Sequence, residues 1–331
     1  MKDRAGPLIL CLAVLTLLLF LLSMLTGPAA LDIGTSLSAI VTGNDEAIAL
    51  VMREIRLPRA LLGLMIGASL GLSGAALQGH LRNPLAEPAL LGVSASASLG
   101  AVIALYTGLS LVFPLALPLM ALVGAGLAVL VVQALAGRGS GTLTIILAGI
   151  AVSSFAAAMT SLALNLSPNP FAAMEIVYWL LGSLTDRSML HVQLSAPFML
   201  LGCLMLLGLG RSLDALTLGP DAAASMGIDT GRVQFVAVAG TALAVGAATA
   251  VAGAIGFVGL VVPHILRPLV GSQPSRLLPA SALGGASMLL LADVLVRVIA
   301  PGKDLKLGVL TALVGAPFFL WLVFRTRRAM L

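Results

Sequence analysis

The chain has 331 residues, of which 60% are hydrophobic and 9% charged, with a formal net charge of +5 and a mean hydropathy of +1.12. A soluble globular domain has about a quarter of its residues charged, so this composition excludes one and indicates a membrane protein. The unbroken Leu, Ala, Val and Gly runs lack the alternation of barrel strands. A bilayer core about 30 Å thick needs roughly 20 apolar residues per helix, enough for about ten crossings here. The predicted class is all-α: a polytopic membrane protein, one transmembrane domain over residues 1–331 with no soluble domain. Cys11 and Cys203 fall inside predicted spans and read as small apolar side chains rather than as a disulfide.

The first crossing, 7–26, follows Lys2 and Arg4 and runs outward; its apolar run exceeds the core of a secretory signal. Residues 28–55 hold Asp32, Asp45, Glu46, Arg53 and Glu54 and are expected to form an external loop. Crossing two, 58–79, runs inward and is entered through Arg56 and Arg59 beside a proline. On it Gly63, Gly67 and Gly71 recur every four residues, which puts them on one helical face where another backbone can approach closely. The proline-bounded NPLAEP loop turns the chain back into crossing three, 89–107. Crossing four, 113–135, ends at the AGRGSG turn with Arg138.

Crossing five, 142–164, carries Ser153, Ser154, Thr160 and Ser161, with Asn165 just beyond. Such groups either bond back to their own helix or line a wet path, and spacing leaves both readings open. Residues 167–187 are external, with a short helix expected over 171–181, and crossing six covers 190–209. The internal segment 211–232 follows. In it Pro220 and Asp221 can start a helix and Gly227 can end one, so a short surface helix is expected over 221–226. Alanine and methionine exposed on so short a helix mark a docking surface.

Crossing seven, 233–251, leads through the glycine-rich bend AGAIGFVGL into crossing eight, which ends near Pro263, His264 and Arg267. Crossing nine, 278–299, runs outward. Crossing ten, 308–324, returns and leaves Arg325, Arg327 and Arg328 inside. Eleven of the 18 basic residues then lie on the inner side and seven on the outer, in line with the positive-inside rule. Arg56, Arg59 and Arg297 run against that bias. Asp293 and Arg297 are four apart, the spacing of a local ion pair, and a buried Asp293 without such a partner would be costly.

None of the three lysines, Lys2, Lys303 and Lys306, stands in a Gly-Lys-Ser/Thr context. His80, His191 and His264 are far apart without paired ligand spacing. Neither a metal, a cofactor nor an intrinsic enzyme is expected, so energy for transport must come from a gradient or another subunit. A secondary transporter driven by an ion gradient needs an ionisable relay at mid-membrane, and the centres of these spans carry almost none.

RLPR, SGAALQ, RNPLAEPALLG, LGPDAAASMGI, GAIGFVGLVVPHILR, LAD followed by Arg297, and GAPFFLWL occur in this order over nearly the whole chain. Together they resemble the permease subunits of bacterial ABC importers for iron-siderophore, haem and cobalamin. The resemblance implies a homodimer of ten-helix subunits in the inner (cytoplasmic) membrane, surrounded by membrane lipid, with both termini cytoplasmic and the path at the dimer interface. It implies two ATP-binding-cassette ATPase subunits inside, a periplasmic substrate-binding protein outside, and no nucleic acid. The cargo it implies is an iron chelate, siderophore or haem, with cobalamin as the alternative.

The resemblance also implies roles. Arg56, Arg59 and Arg297 would meet acidic residues of the binding protein. Leu218, Gly219, Asp221, Ala222, Ala224, Ser225, Met226 and Gly227 would dock on the ATPase. Ser153, Ser154, Thr160, Ser161 and Asn165, with the 171–181 helix, would gate the path. One departure stands before the last helix, where the family has an acidic-Leu-Pro-(Val/Ile)-Gly run. Here the run is Asp304, Leu305, Lys306, Leu307 and Gly308, which puts Lys306 at the family's proline, and Lys303 adds another outer charge.

Overall fold

The computed structural model describes residues 5–27, 46–113, 115–137, 142–167, 170–301 and 305–330. The 28–45 loop, Arg138, Lys303 and Asp304 lie outside the described residues, as do the side chains of Arg325, Arg327 and Arg328. The described regular structure is helical, and eight of its helices are long and apolar enough to cross a membrane.

Helix α1 spans Ala5–Leu25. Helix α2, Leu57–His80, is entered through Glu46–Leu50 and a π-helical turn, Val51–Arg56. This corrects the expected loop, because residues 46–56 are helical and continuous with the crossing. Pro58 has no N–H for the Glu54 carbonyl, and the turn in front of it widens so that the Leu57 N–H reaches the Met52 carbonyl. Met52, only 1% exposed, packs with Met24 and Ala60, while Arg53 and Glu54 stay exposed.

Two of the ten expected crossings are short. A 3₁₀ turn, Pro88–Leu91, precedes α3, Val93–Tyr106, whose 14 residues reach about 21 Å at 1.5 Å per residue. Helix α4 is Ala116–Ala136 and α5 is Thr142–Asn165. Next come α6, Pro170–Leu180, and α7, Met189–Leu207. The segment after α7 folds into α8, Gly210–Leu216, and α9, Pro220–Ser225. Helix α10, Thr230–Ala252, precedes the second short element, α11, Val258–Leu266, which a 3₁₀ turn extends over Arg267–Val270. Helix α12, Pro274–Ile299, and α13, Leu307–Met330, end the described chain.

Helices α2 and α10 form the centre and are largely buried, whereas α1, α4, α5, α7 and α13 leave most of their surface to the outside. In lipid the association of helices rests on close packing rather than on removing apolar surface from water, which favours small residues at the contacts. The α2–α12 contact follows this rule. A Cβ at Gly67 would collide with the Gly285 carbonyl, one at Gly71 with the Ser281 carbonyl, and one at Gly285 with the Gly67 carbonyl. Helices α3 and α4 meet the same way, through Gly100 against Met120 and Gly124 against Ser96. Gly63 is different: its nearest neighbour would be Leu290 Cδ2, a flexible side-chain tip, at 3.1 Å.

Alanine gains about 1 kcal/mol over glycine in a helix interior, but overpacking a fitted contact costs about 1–3 kcal/mol. Gly71→Ala should therefore lower the melting temperature in detergent, because the methyl meets backbone that cannot turn aside. Gly63→Ala should leave it level or raise it. Equal shifts for the two variants would show that the α2–α12 contact is not backbone-limited.

Candidate functional site

Among the described residues, four places hold the predicted functional side chains or tie distant helices through polar bonds. The first is the end of the bundle where α1 finishes, α2 begins and α12 finishes. The Arg56 side chain, 4% exposed, turns back to the last turn of α1, where Nη1 donates to the Met24 and Leu25 carbonyls at 3.2 and 3.0 Å. Those carbonyls have no partner further along the helix, and a guanidinium there also suits the negative end of the helix dipole. Arg297 does the same from α12: Nη1 donates to the Ser23 carbonyl at 2.8 Å and to that of Thr26, and Nη2 to Ser23 Oγ at 2.7 Å.

Asp293, 1% exposed, joins these helices. It accepts from Arg59 Nε and Nη2 at 2.9 and 2.8 Å across the α2–α12 contact, and from Arg297 Nη2 at 2.6 Å along its own helix. The local ion pair expected from the four-residue spacing is therefore widened to a second helix. The structure thus brings Arg56, Arg59 and Arg297 together at one end, but aims all three inward at intrachain acceptors. The sequence reading did not include the last turn of α1 as their partner, and its signal is the Ser23 to Thr26 pair at the end of an otherwise apolar span.

The second place is the opposite end, where the NPLAEP loop has a structural reason that sequence did not supply. Asn83 Oδ1 accepts the Leu85 N–H at 2.9 Å and tightens the turn. Glu87 Oε1 accepts the N–H of Phe257 at 2.6 Å, which caps α11 from another part of the chain. Phe257 has a positive φ of 68°, so the bend it makes is held by this carboxylate and by the packing of Gly315 of α13 against its ring. Gln78, 1% exposed, donates Nε2 to the carbonyls of Ala86 and Gly259, each at 3.3 Å, and accepts from Arg267 Nη2 at 2.6 Å. The Gly259 carbonyl needs this because the residue four further on is Pro263, which has no N–H to give. Proline four places after a glycine in an apolar run is the signal that could have pointed to Gln78.

The third place is the segment between α7 and α10. Gly219, at φ 112°, and Gly227, at φ 82°, bracket α9. The Ile228 N–H reaches the Ala223 carbonyl and the Gly227 N–H the Ala224 carbonyl, a glycine-dependent helix end. Ala223 is fully buried against Leu213 and Leu216, and Ala222 is half-buried. Leu218, Asp221, Ala224, Ser225 and Met226 face outward, with Leu218 69% and Met226 61% exposed.

The fourth place is α5 and α6. Ser154, Ser161 and Asn165 are exposed, and at 100° per residue they fall within about 40° of one another on α5. Ser153 and Thr160 are half-buried beside them, and the Ser153 hydroxyl donates to the Ala89 carbonyl of the Pro88–Leu91 turn at 3.5 Å rather than back into its own helix. Helix α6 is exposed on most sides, apart from the buried Ile176. Lys306 lies over the ring of its Tyr178, 5.4 Å from the centroid. Among the described residues no group of three His, Cys, Asp or Glu side chains is arranged to hold a metal.

Removing Asp293 leaves Arg59 and Arg297 without their shared carboxylate, and breaking a buried pair in this way costs about 3–5 kcal/mol. Asp293→Ala should therefore unfold well below the wild-type midpoint, and Asp293→Ala with Arg59→Ala should lose less than the sum of the two single variants. Additive losses would dissolve the α2–α12 pair as a unit.

The chain is 41% identical over 277 residues to the Fe(3+) dicitrate transport system permease protein FecD of Escherichia coli (strain K12), covering 84% of this chain and 86% of that protein. It is 39% identical over 325 residues to the vitamin B12 import system permease protein BtuC of Shigella boydii, covering 97% and 95%. A solved metal-chelate type ABC transporter in an inward-facing conformation superposes with a TM-score of 0.85 at 30% identity, covering 97% of this chain and 99% of that one. The FecCD transport family model matches residues 15–325, and the chain belongs to that family.

Proposed function

We propose that this chain, a multi-pass permease subunit by family, works as a homodimer in the bacterial inner membrane and imports an iron chelate. Separate ATP-binding-cassette ATPase subunits supply the energy from the cytoplasm, and a periplasmic binding protein delivers the cargo. The observation that carries the reading is the uncovered polar face of α5. Ser154, Ser161 and Asn165 lie exposed on a helix that should span the membrane, and a second copy placed against it would enclose a wet path between two such faces. Ser153 and Thr160 border that path, and α6 closes its outer end.

The ATPase subunits would dock on α9 through Asp221, Ala224, Ser225 and Met226, with Leu218, Gly219, Ala222 and Gly227 shaping the helix that presents them. This end is cytoplasmic in our reading, as are both termini. The binding protein would meet the opposite end. There Arg59 and Arg297 share the Asp293 carboxylate, and Arg56 holds the last turn of α1. Their excess positive charge steers an acidic partner, an effect on association rate that salt weakens. Because Arg56 is buried against α1, it acts by holding the rim and by its field. Iron dicitrate and vitamin B12 are the cargoes in the names of the two relatives. An iron chelate, siderophore or haem, is our assignment here, with cobalamin as the alternative.

Uptake by vesicles carrying the permease, its ATPase subunits and the binding protein should stop when ATP is depleted and persist with a protonophore present. Loss of uptake to the protonophore at full ATP would make the protein gradient-driven instead. Association of the binding protein should slow as salt rises, and Arg59→Gln should flatten that dependence. An unchanged salt slope in that variant would remove Arg59 from docking.

A further inference from the structure

Helix α12 begins at the end of the molecule where α8 and α9 lie and finishes in the arginine cluster at the other. Its 26 residues cover about 39 Å. At its start, Gln273 is the N-cap residue but makes no capping bond of its own, and Pro274 follows. The capping groups come from elsewhere in the chain. Asp214 of α8 accepts the Ser275 N–H on Oδ1 at 2.9 Å and the Gln273 Nε2 on Oδ2 at 3.1 Å. Gly210, the first residue of α8, lies so close that a Cβ there would sit 3.2 Å from Ser275 Cα.

Helix α8 in turn is one body with α9. The Gly219 N–H bonds to the Leu216 carbonyl, and Ala223 of α9 is buried in the cluster that holds Leu213, Ala215 and Leu216. Along its length α12 is locked to α2 by the Gly67–Gly285 and Gly71–Ser281 contacts. At its far end it holds Asp293 and Arg297, which bind Arg59 and the last turn of α1. A displacement of α9 therefore meets a fixed joint, a packed rod and an ion-paired terminus, in that order.

We propose that Asp214 is a positioning residue for transport: it ties the α8–α9 segment to the foot of α12, so that movement at the ATPase end is carried to the rim where the binding protein docks. This rests on the functional reading above. Coupling between the two ends is reciprocal in binding free energy, so a binding protein that shifts the rim also shifts the ATPase end through the same joint. A cap that served stability alone would be needed equally at rest and during turnover. A coupling joint changes the response to the partner.

The test uses the complete complex in lipid nanodiscs, with the binding protein added without cargo. The quantity read is the ratio of ATPase rates with and without that protein. Asp214→Ala should keep the ATPase subunits and the binding protein in the complex, while the ratio falls toward one. Asp214→Asn, which keeps an acceptor oxygen for the Ser275 N–H, should retain most of the ratio. A wild-type ratio in Asp214→Ala overturns the proposal. So does loss of the ATPase subunits from that variant, which would make Asp214 a support for the docking helix only, and so does an Asp214→Asn variant as impaired as Asp214→Ala. A wild-type permease that fails to assemble with ATPase subunits refutes the functional reading instead.

Discussion

The backbone contact between α2 and α12 is the constraint on which the rest of the molecule depends. In lipid, apolar side chains gain nothing by leaving one apolar environment for another, so the helices must be held by close fit and by internal polar bonds. Gly67, Gly71 and Gly285 with Ser281 bring the two backbones together. That approach is what allows Arg59 on one helix to reach Asp293 on the other at 2.8 Å. Wider spacing would leave Asp293 only its own helix's Arg297 and would strip Arg59 of its carboxylate, an arrangement that membrane proteins avoid.

The second demand is that every backbone group inside the membrane have a partner. Long helices meet it automatically. The short elements α3 and α11 do not, because irregular chain precedes each of them. Gln78 and Glu87 supply what is missing: Gln78 covers the carbonyl that Pro263 leaves open, and Glu87 takes the N–H of Phe257, the residue in front of α11. Both side chains work in the region where two bends meet, which explains why polar residues stand in otherwise apolar surroundings there. Broken helices in a membrane protein are tolerated when they are buried in protein or line a cavity, and these are packed against α2, α5, α10 and α13.

The same economy governs the rim. Arg56 and Arg297 satisfy the carbonyls that end α1, and Asp293 neutralises part of the charge they bring. Within the cluster itself three guanidiniums stand against the one carboxylate of Asp293. One set of side chains thereby fixes the end of α1 and ties it to α12. At the opposite end the α8–α9 segment is held from within by Leu213 and Ala223, and Leu218, Asp221, Ala224, Ser225 and Met226 are exposed.

Length, composition and the position of apolar runs determined by themselves that this is a helical membrane protein, because the thickness of the bilayer and the need to pair every backbone group leave few alternatives. The glycine spacing on α2, the bounds of the helix near Asp221, and the gathering of the three arginines at one end could also be read, since each follows from helical periodicity or from counting crossings. Only the tertiary structure decided where those arginines point, that residues 46–56 are helical, that α3 and α11 are short, and that Gln78, Glu87 and Asp214 act on distant helices. These depend on contacts between residues far apart in the chain: Asp214 lies 61 residues from Ser275, Glu87 170 from Phe257, and Arg59 234 from Asp293. Local propensity and hydropathy carry no information about which capping group or counter-ion will arrive from such a distance, because that is set by how the helices pack.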